Sequence, residues 1–202
     1  MAGVQCKFVV CFLNFVRSRG TGRSFVSPAT FHTQTLAVSV IKNKMIMSRI
    51  VLISCVSRKG KTKTKAKDLY KGPLFKNSLA YGQSLKPDKI FILSALHNLL
   101  DLDKEIEPYD VTLSYVSPKK RKEKPNLKVL TKAEANSWGK KVIEQLGEVA
   151  DLKNDKFIIL AGQDYLTPIQ NSLTNIEEPL KGVSMFYRPQ KLKELIKKIN
   201  GK

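Results

Sequence analysis

The chain has 202 residues, enough for one domain or for one domain with an appendage, and a core of that size folds without covalent staples. Its three cysteines, Cys6, Cys11 and Cys55, are too few and too clustered for the disulfide framework of a small secreted protein, so a reducing compartment is expected. A formal charge of +19 favours phosphate, RNA, DNA or anionic lipid as partners, yet thirteen basic residues precede the first acid, Asp68; the 23 that follow face 17 acids and leave only +6.

Residues 1–46 carry six basic residues, no acids, many Ser and Thr, and one apolar run from Phe8 to Val16. That run is too short for a bilayer, which needs about 20 apolar residues, and its basic flank is thin for a secretory signal. The composition suits an organellar transit peptide, whereas Met45 and Met47, standing just before a strand pattern, suit a later translation start, which is the preferred reading. Under both, residues 1–46 are a disordered extension and residues 47–202 a single domain. The expected location is the cytoplasm, or an organelle if the extension is a transit peptide.

From there the elements follow in order. Residues 50–56 (IVLISCV) form a short, β-branched apolar run, the pattern of a strand buried on both faces of a parallel sheet. Residues 74–85 read as a helix ended by Lys86-Pro87, and residues 89–95 (KIFILSA) as a second buried strand. An acidic loop spans 101–107. Residues 117–128 hold six basic residues within twelve positions and form an exposed loop or flap. That flap is a solvated linker, a grip on a phosphate backbone or a nuclear-type signal. Thr131 and Glu134 have capping-box spacing, and Trp138, Val142, Leu146 and Val149 recur at helical intervals up to Asp151. Residues 156–161 (KFIILA) are the third strand. A helix after Gln163 presents Leu166, Ile169, Gln170 and Leu173, with Pro168 in its first turn. The last helix, 189–199, sets Leu192, Leu195, Ile196 and Ile199 against lysines that form a solvated face. Strands alternating with helices predict a three-layer α/β fold, a mostly parallel sheet flanked by helices.

In such sheets ligands bind beyond the carboxyl ends of the strands, so the residues there are the first site candidates. After the first strand come Ser54, Cys55, Arg58 and Lys59; after the second, Ser94, His97 and Asn98; after the third, Gly162, Gln163 and Tyr165. Cys55 is either a nucleophile favoured by nearby cations or a small apolar filler. Arg58 and Lys59 begin an electropositive loop that binds phosphate or carboxylate, or is simply solvated. His97 moves protons near neutral pH or caps a turn. Asp110, beside Tyr109 and Thr112, orients a base or contacts a sugar hydroxyl, or else makes a turn. Asp68 and Tyr70 precede one helix, Gln163 and Tyr165 another. Gln163 can bond a base edge, and Tyr165 or Tyr109 can stack on it. The catalytic candidates are therefore Cys55, Lys59, His97 and Asp110, with the others binding substrate. No metal-type Cys and His spacing, Walker loop or Gly-x-Gly-x-x-Gly occurs, so neither metal nor cofactor is expected.

The ordered set Ser54-Cys55-x-x-x-Lys59, Asp68-Leu69-Tyr70 with Leu74-Phe75, Ile92-Leu93-Ser94-Ala95-x-His97-x-Leu99-Leu100 and Tyr109-Asp110-x-Thr112-Leu113 resembles an uncharacterised domain family of bacteria and phages, over about residues 49 to 195. Where that family has glycine after the histidine, this chain has Asn98, which also tolerates a left-handed turn. The Cys-x-x-x-Lys strand end is distantly similar to the core domain of archaeosine synthase, which modifies a deazaguanine base in tRNA. Leu52-Ile53-Ser54 with a lysine nearby resembles the YaaA proteins of peroxide stress. These likenesses imply a fold similar to uracil-DNA glycosylases and an enzyme acting on a nucleobase, nucleotide or nucleoside in or from nucleic acid. The alternatives are a non-catalytic DNA- or RNA-binding protein and an accessory protein of stress response or phage defence. The expected partners are nucleotide, nucleobase or nucleic acid, and not a membrane.

Overall fold

Residues 47–201 are described in the computed structural model, and the extension expected over residues 1–46 lies outside the described residues. The three apolar runs are neighbouring parallel strands, β1 (Arg49–Ser54), β3 (Lys89–Ser94) and β8 (Lys156–Leu160). β1 lies between the other two, with Leu52 opposite Phe91 on one side and Ile159 on the other. Burial on both faces explains the unbroken runs: Ile50, Val51, Leu52 and Ile92 are wholly inaccessible. A short strand, β9 (Ile176–Glu177), extends the sheet in parallel beyond β8.

At the opposite edge the sheet is mixed. β4 (Asn98–Asp101) runs antiparallel to β3, reaching into the start of the expected acidic loop. Asn98 adopts φ +58, so the chain reverses immediately after β3 and Ser94 pairs with Asn98. The expected left-handed turn is therefore present, and the adjoining residues pair instead of looping.

Two short elements, β2 (Thr64–Lys65) and α1 (Ala66–Leu69), turn the basic segment back onto β5 (Glu105–Ile106). There Lys65 and Lys67 share Asp103 at 3.1 and 2.7 Å, and Lys63 reaches Glu105.

α2 (Pro73–Ser84) follows β1 and packs on α6 (Arg188–Asn200), with Gly82 held against Val51 so closely that a Cβ would come within 3.1 Å of its methyl. α4 (Lys132–Gly147) returns the chain from β4 toward β8. Parallel crossovers are right-handed, and these two run in opposite directions along the sheet, so their helices cover opposite faces and make three layers. The capping box at the start of α4 is formed: the Glu134 amide donates to Thr131 Oγ1 and the Thr131 amide to Glu134 Oε2. Lys128, at 2.6 Å, and then the bonds from the Thr131 amide and hydroxyl hold the Glu134 carboxyl at about 2, well below its ordinary range. α4 ends at Gly147, which leaves Val149 outside the helix and exposed.

Two expectations change. The flap is exposed but not irregular: it contains α3 (Pro118–Glu123) and then β7 (Lys128–Val129), which pairs in parallel with β6 (Val111–Thr112). The helix expected after Gln163 is only α5 (Gln163–Leu166), followed by a 3-10 turn at Gln170–Ser172. Pro168 lies beyond α5 and not in its first turn. It has no amide to continue the ladder, so the bond from the Thr167 amide to the Gln163 carbonyl is the last. Asp155 ties the N-terminal end of β1 down, accepting from the backbone amides of Ser48 and Asp151 at 2.8 Å each.

Candidate functional site

The order β4-β3-β1-β8-β9 means that the chain leaves β1 toward β3 and later returns to the other side at β8. The strand order therefore reverses between β1 and β8, and the crevice beyond their carboxyl ends is where open α/β sheets bind ligands. A cavity of about 520 Å³ lies there.

Several local features fix its walls. The Cys55 amide donates to the Leu93 carbonyl, carrying the ladder one residue past β1 and setting the thiol at the cavity floor. The segment carrying Lys59 is pinned as well: Lys59 bridges to Tyr70, the Gly60 amide donates to Leu69 and the Lys71 amide to Arg58. Tyr165, in α5, puts its hydroxyl 3.1 Å from Cys55 Sγ and its ring edge-on to Trp138 at 5.7 Å. Burial, then the charge on a Cys55 thiolate, pushes the Tyr165 phenol far above its usual range, so it stays protonated and can donate to the sulfur.

Lys59 lies over the Tyr109 ring, 4.2 Å from its centroid, and 5.9 Å from that of Tyr70. Desolvation lowers its pKa, while Cys55 and Asp110 oppose that shift and Lys124 adds to it. Behind Lys59 runs a partly buried chain of hydroxyls: Tyr70 to Tyr109 at 2.8 Å, Tyr109 to Ser94 at 2.8 Å, and the His97 amide donating to Ser94 Oγ at 3.0 Å. Burial is the first reason that both phenols are raised far above the ordinary value, and each is therefore neutral.

Of the candidates, Ser54, Cys55, Lys59, Asp110, Thr112, Gly162 and Tyr165 line the cavity. Tyr70, Ser94, Tyr109 and His97 form the layer behind it. His97 sets its ring edge against Tyr109 at 5.2 Å, and its Nε2 is buried without a partner among the described residues. Desolvation, then Lys104, lowers its pKa. Gln163 turns away to donate to Glu178 Oε2 at 3.1 Å, beside a smaller cavity of about 250 Å³. Arg58 and Asp68 are exposed and line neither cavity.

Other lining residues had escaped sequence reasoning. Lys120 and Lys124 reach the cavity from the flap, whose charge was the available signal. Tyr115, Met185 and Arg188 join them, and no periodicity marked these. Asp110 meets Lys124 at 3.8 Å across the mouth. Among the described residues no group of three or more His, Cys, Asp or Glu side chains could hold a metal ion, and no helix is long and apolar enough to cross a membrane.

No curated protein sequence matches the chain. One family model does match, from residue 50 in β1 to residue 194 in α6, and so takes in every residue named here as lining the larger cavity. By that match the chain belongs to a family of unknown function, DUF6884.

Proposed function

We propose that the chain is an enzyme acting on a nucleobase, nucleotide or nucleoside in or from nucleic acid, by transfer, modification or cleavage at the base. The observation that carries this reading is the convergence of a thiol, an ammonium, a carboxylate and a phenol from Cys55, Lys59, Asp110 and Tyr165 in one cavity at the switch point. Its volume, about 520 Å³, falls within the range of small-molecule sites. The remaining wall is largely apolar, with Leu74, Val111, Val116, Leu127, Leu160 and Leu180, which suits the faces of a heterocycle whose edges need polar partners.

In this reading Cys55 is the nucleophile or the group that seats the base. The Tyr165 hydroxyl and the Lys59 charge both stabilise negative charge developing on the sulfur. Asp110 and Thr112 accept from or donate to the edge of the substrate, and Lys59 exchanges a proton more readily than a surface lysine. The similarity of Cys55-x-x-x-Lys59 to the archaeosine synthase core, and of the β1 end to YaaA proteins, supports a nucleobase substrate and a fold related to uracil-DNA glycosylases. A free, buried cysteine suits the cytoplasm.

The test is to incubate the protein with nucleosides, nucleotides and oligonucleotides and look by mass spectrometry for a base released, exchanged or modified, with Cys55→Ser alongside. Protection of Cys55 from iodoacetamide by any of these compounds is the binding readout. A base-directed change that Cys55→Ser abolishes supports the reading. No product and no protection by any base-containing compound would sink it.

A second reading, a non-catalytic DNA- or RNA-binding protein, is favoured by the exposed Lys119, Lys120, Arg121 and Lys122 of α3, none of which is ion-paired among the described residues. It requires flap substitutions to weaken binding while Cys55→Ala leaves binding intact.

A further inference from the structure

Every exposed aromatic side chain among the described residues stands in the two segments that bound the larger cavity. Tyr115 is 77% exposed and lines it from one side; Phe186 at 91% and Tyr187 at 68% sit between Met185 and Arg188, which line it too. Elsewhere the aromatics are buried or half-buried. Leaving three rings in water is a standing hydrophobic cost, so their placement in these segments calls for a partner that uses flat apolar faces.

Charge selects the partner. After Tyr115, beyond Val116 and Ser117, comes α3, whose residues are all exposed and whose Lys119, Lys120, Arg121 and Lys122 meet no described carboxylate. Glu123 is the single acid among them. The other basic run behaves differently, because Lys63, Lys65 and Lys67 are already held by Glu105 and Asp103. Free positive charge therefore adjoins Tyr115, and Lys120 lines the same cavity as the Met185 and Arg188 that flank the other two rings. A surface of stacking rings and unpaired cations matches a single-stranded nucleic acid, whose bases present π-faces and whose phosphates are spaced along one strand. A duplex keeps those faces stacked and offers the rings nothing.

The geometry points to a single-stranded polynucleotide as the substrate form: Tyr115, Phe186 and Tyr187 stack on bases flanking the reacting one, α3 holds the backbone, and one base enters the cavity. This rests on the reading of the cavity as a nucleobase site, and it adds the strand to the base.

Anisotropy of a fluorescein-labelled single strand of about 12 nucleotides, a length typical of such surfaces, gives the test when measured over a series of salt concentrations. The protein is compared with a Tyr115→Ser, Phe186→Ser, Tyr187→Ser variant and with one in which Lys119, Lys120, Arg121 and Lys122 are all Gln. All seven side chains are exposed, and circular dichroism checks that both variants fold. The ring variant should bind at least about tenfold more weakly with the salt dependence unchanged, since a stacked base is worth about that much or more. The Gln variant should instead flatten the salt dependence, by about 0.7 in log–log slope for each phosphate no longer neutralised. Ring-variant binding equal to that of the unaltered protein, or a duplex bound as tightly as the single strand, overturns the proposal. Iodoacetamide protection of Cys55 by free nucleoside monophosphates, run on a Phe186→Ser, Tyr187→Ser variant whose two lost rings line neither cavity, separates the two readings. Protection retained while strand binding disappears supports the proposal. Strand binding that depends on the rings without any protection of Cys55, in the unaltered protein or the variant, overturns the cavity reading and leaves the strand surface standing.

Discussion

Replacing Tyr109 with Phe removes one oxygen from the middle of a three-hydroxyl chain, and the consequences at its two ends differ. Ser94 is fully buried, but its Oγ keeps the His97 amide, so it loses one of two bonds, about 0.5–1.5 kcal/mol. Tyr70 is 1% exposed, and Tyr109 is its only hydroxyl partner among the described residues. Orphaning it costs about 1–3 kcal/mol. Tyr109→Phe should therefore lower stability by about 1.5–4.5 kcal/mol, a large part of what a domain this size has. Tyr70→Phe alone should cost only about 1 kcal/mol, because Tyr109 keeps Ser94. In the Tyr109→Phe background the same change removes the orphan, so it should be neutral or stabilising. Urea unfolding of the four proteins reads the cycle, with the slope held constant across them. Both rings survive in every variant and Lys59 keeps its place over them, so Cys55 protection by a nucleotide should change little. A cost for Tyr70→Phe that is the same in both backgrounds would refute the coupling.

Lys59 should titrate below the surface lysines; the ¹³C signal of its reductively methylated amine measures this, and a midpoint at or above theirs contradicts the burial argument. Because folding favours the neutral amine, this group's contribution to stability rises with pH between its lowered folded value and the ordinary one of 10.5, and Lys59→Met should flatten that rise. Gly139→Ala puts a Cβ 2.5 Å from the Pro168 carbonyl oxygen and 2.7 Å from its Cβ. The overpacking, about 1–3 kcal/mol, should exceed the helix-propensity gain of about 1 kcal/mol and lower the melting temperature. Gly147→Ala, which meets only a Leu152 methyl at 3.8 Å, should raise it or leave it unchanged, and the opposite order would show that the α4 contact gives way freely.

What could be read from the residues follows from how local each cause is. β1, β3 and β8 were legible because strands buried on both faces are written as unbroken apolar runs, and the start of α4 because its cap is closed by Thr131 and Glu134, three positions apart. β4 was not: its order comes from a reversal at one left-handed residue, and Asn98 permits that reversal without announcing a strand. Nor was the end of α5, where the missing amide of Pro168 decided the length. The site divides along the same line. The rule that strand ends carry the chemistry found Cys55, Gly162 and Tyr165, but it treated all strand ends as equivalent, and strand order makes them unequal. β3 lies on the far side of β1 from the reversal, so Ser94 and His97 stand one strand away from the crevice and brace Tyr109 from behind. The exposed rings carried no signal at all, since an aromatic reads the same in the chain whether it fills a core or waits in water. Their meaning comes only from standing in two segments that meet at one cavity, one of which carries the unpaired cations of α3, and that placement exists only in the fold.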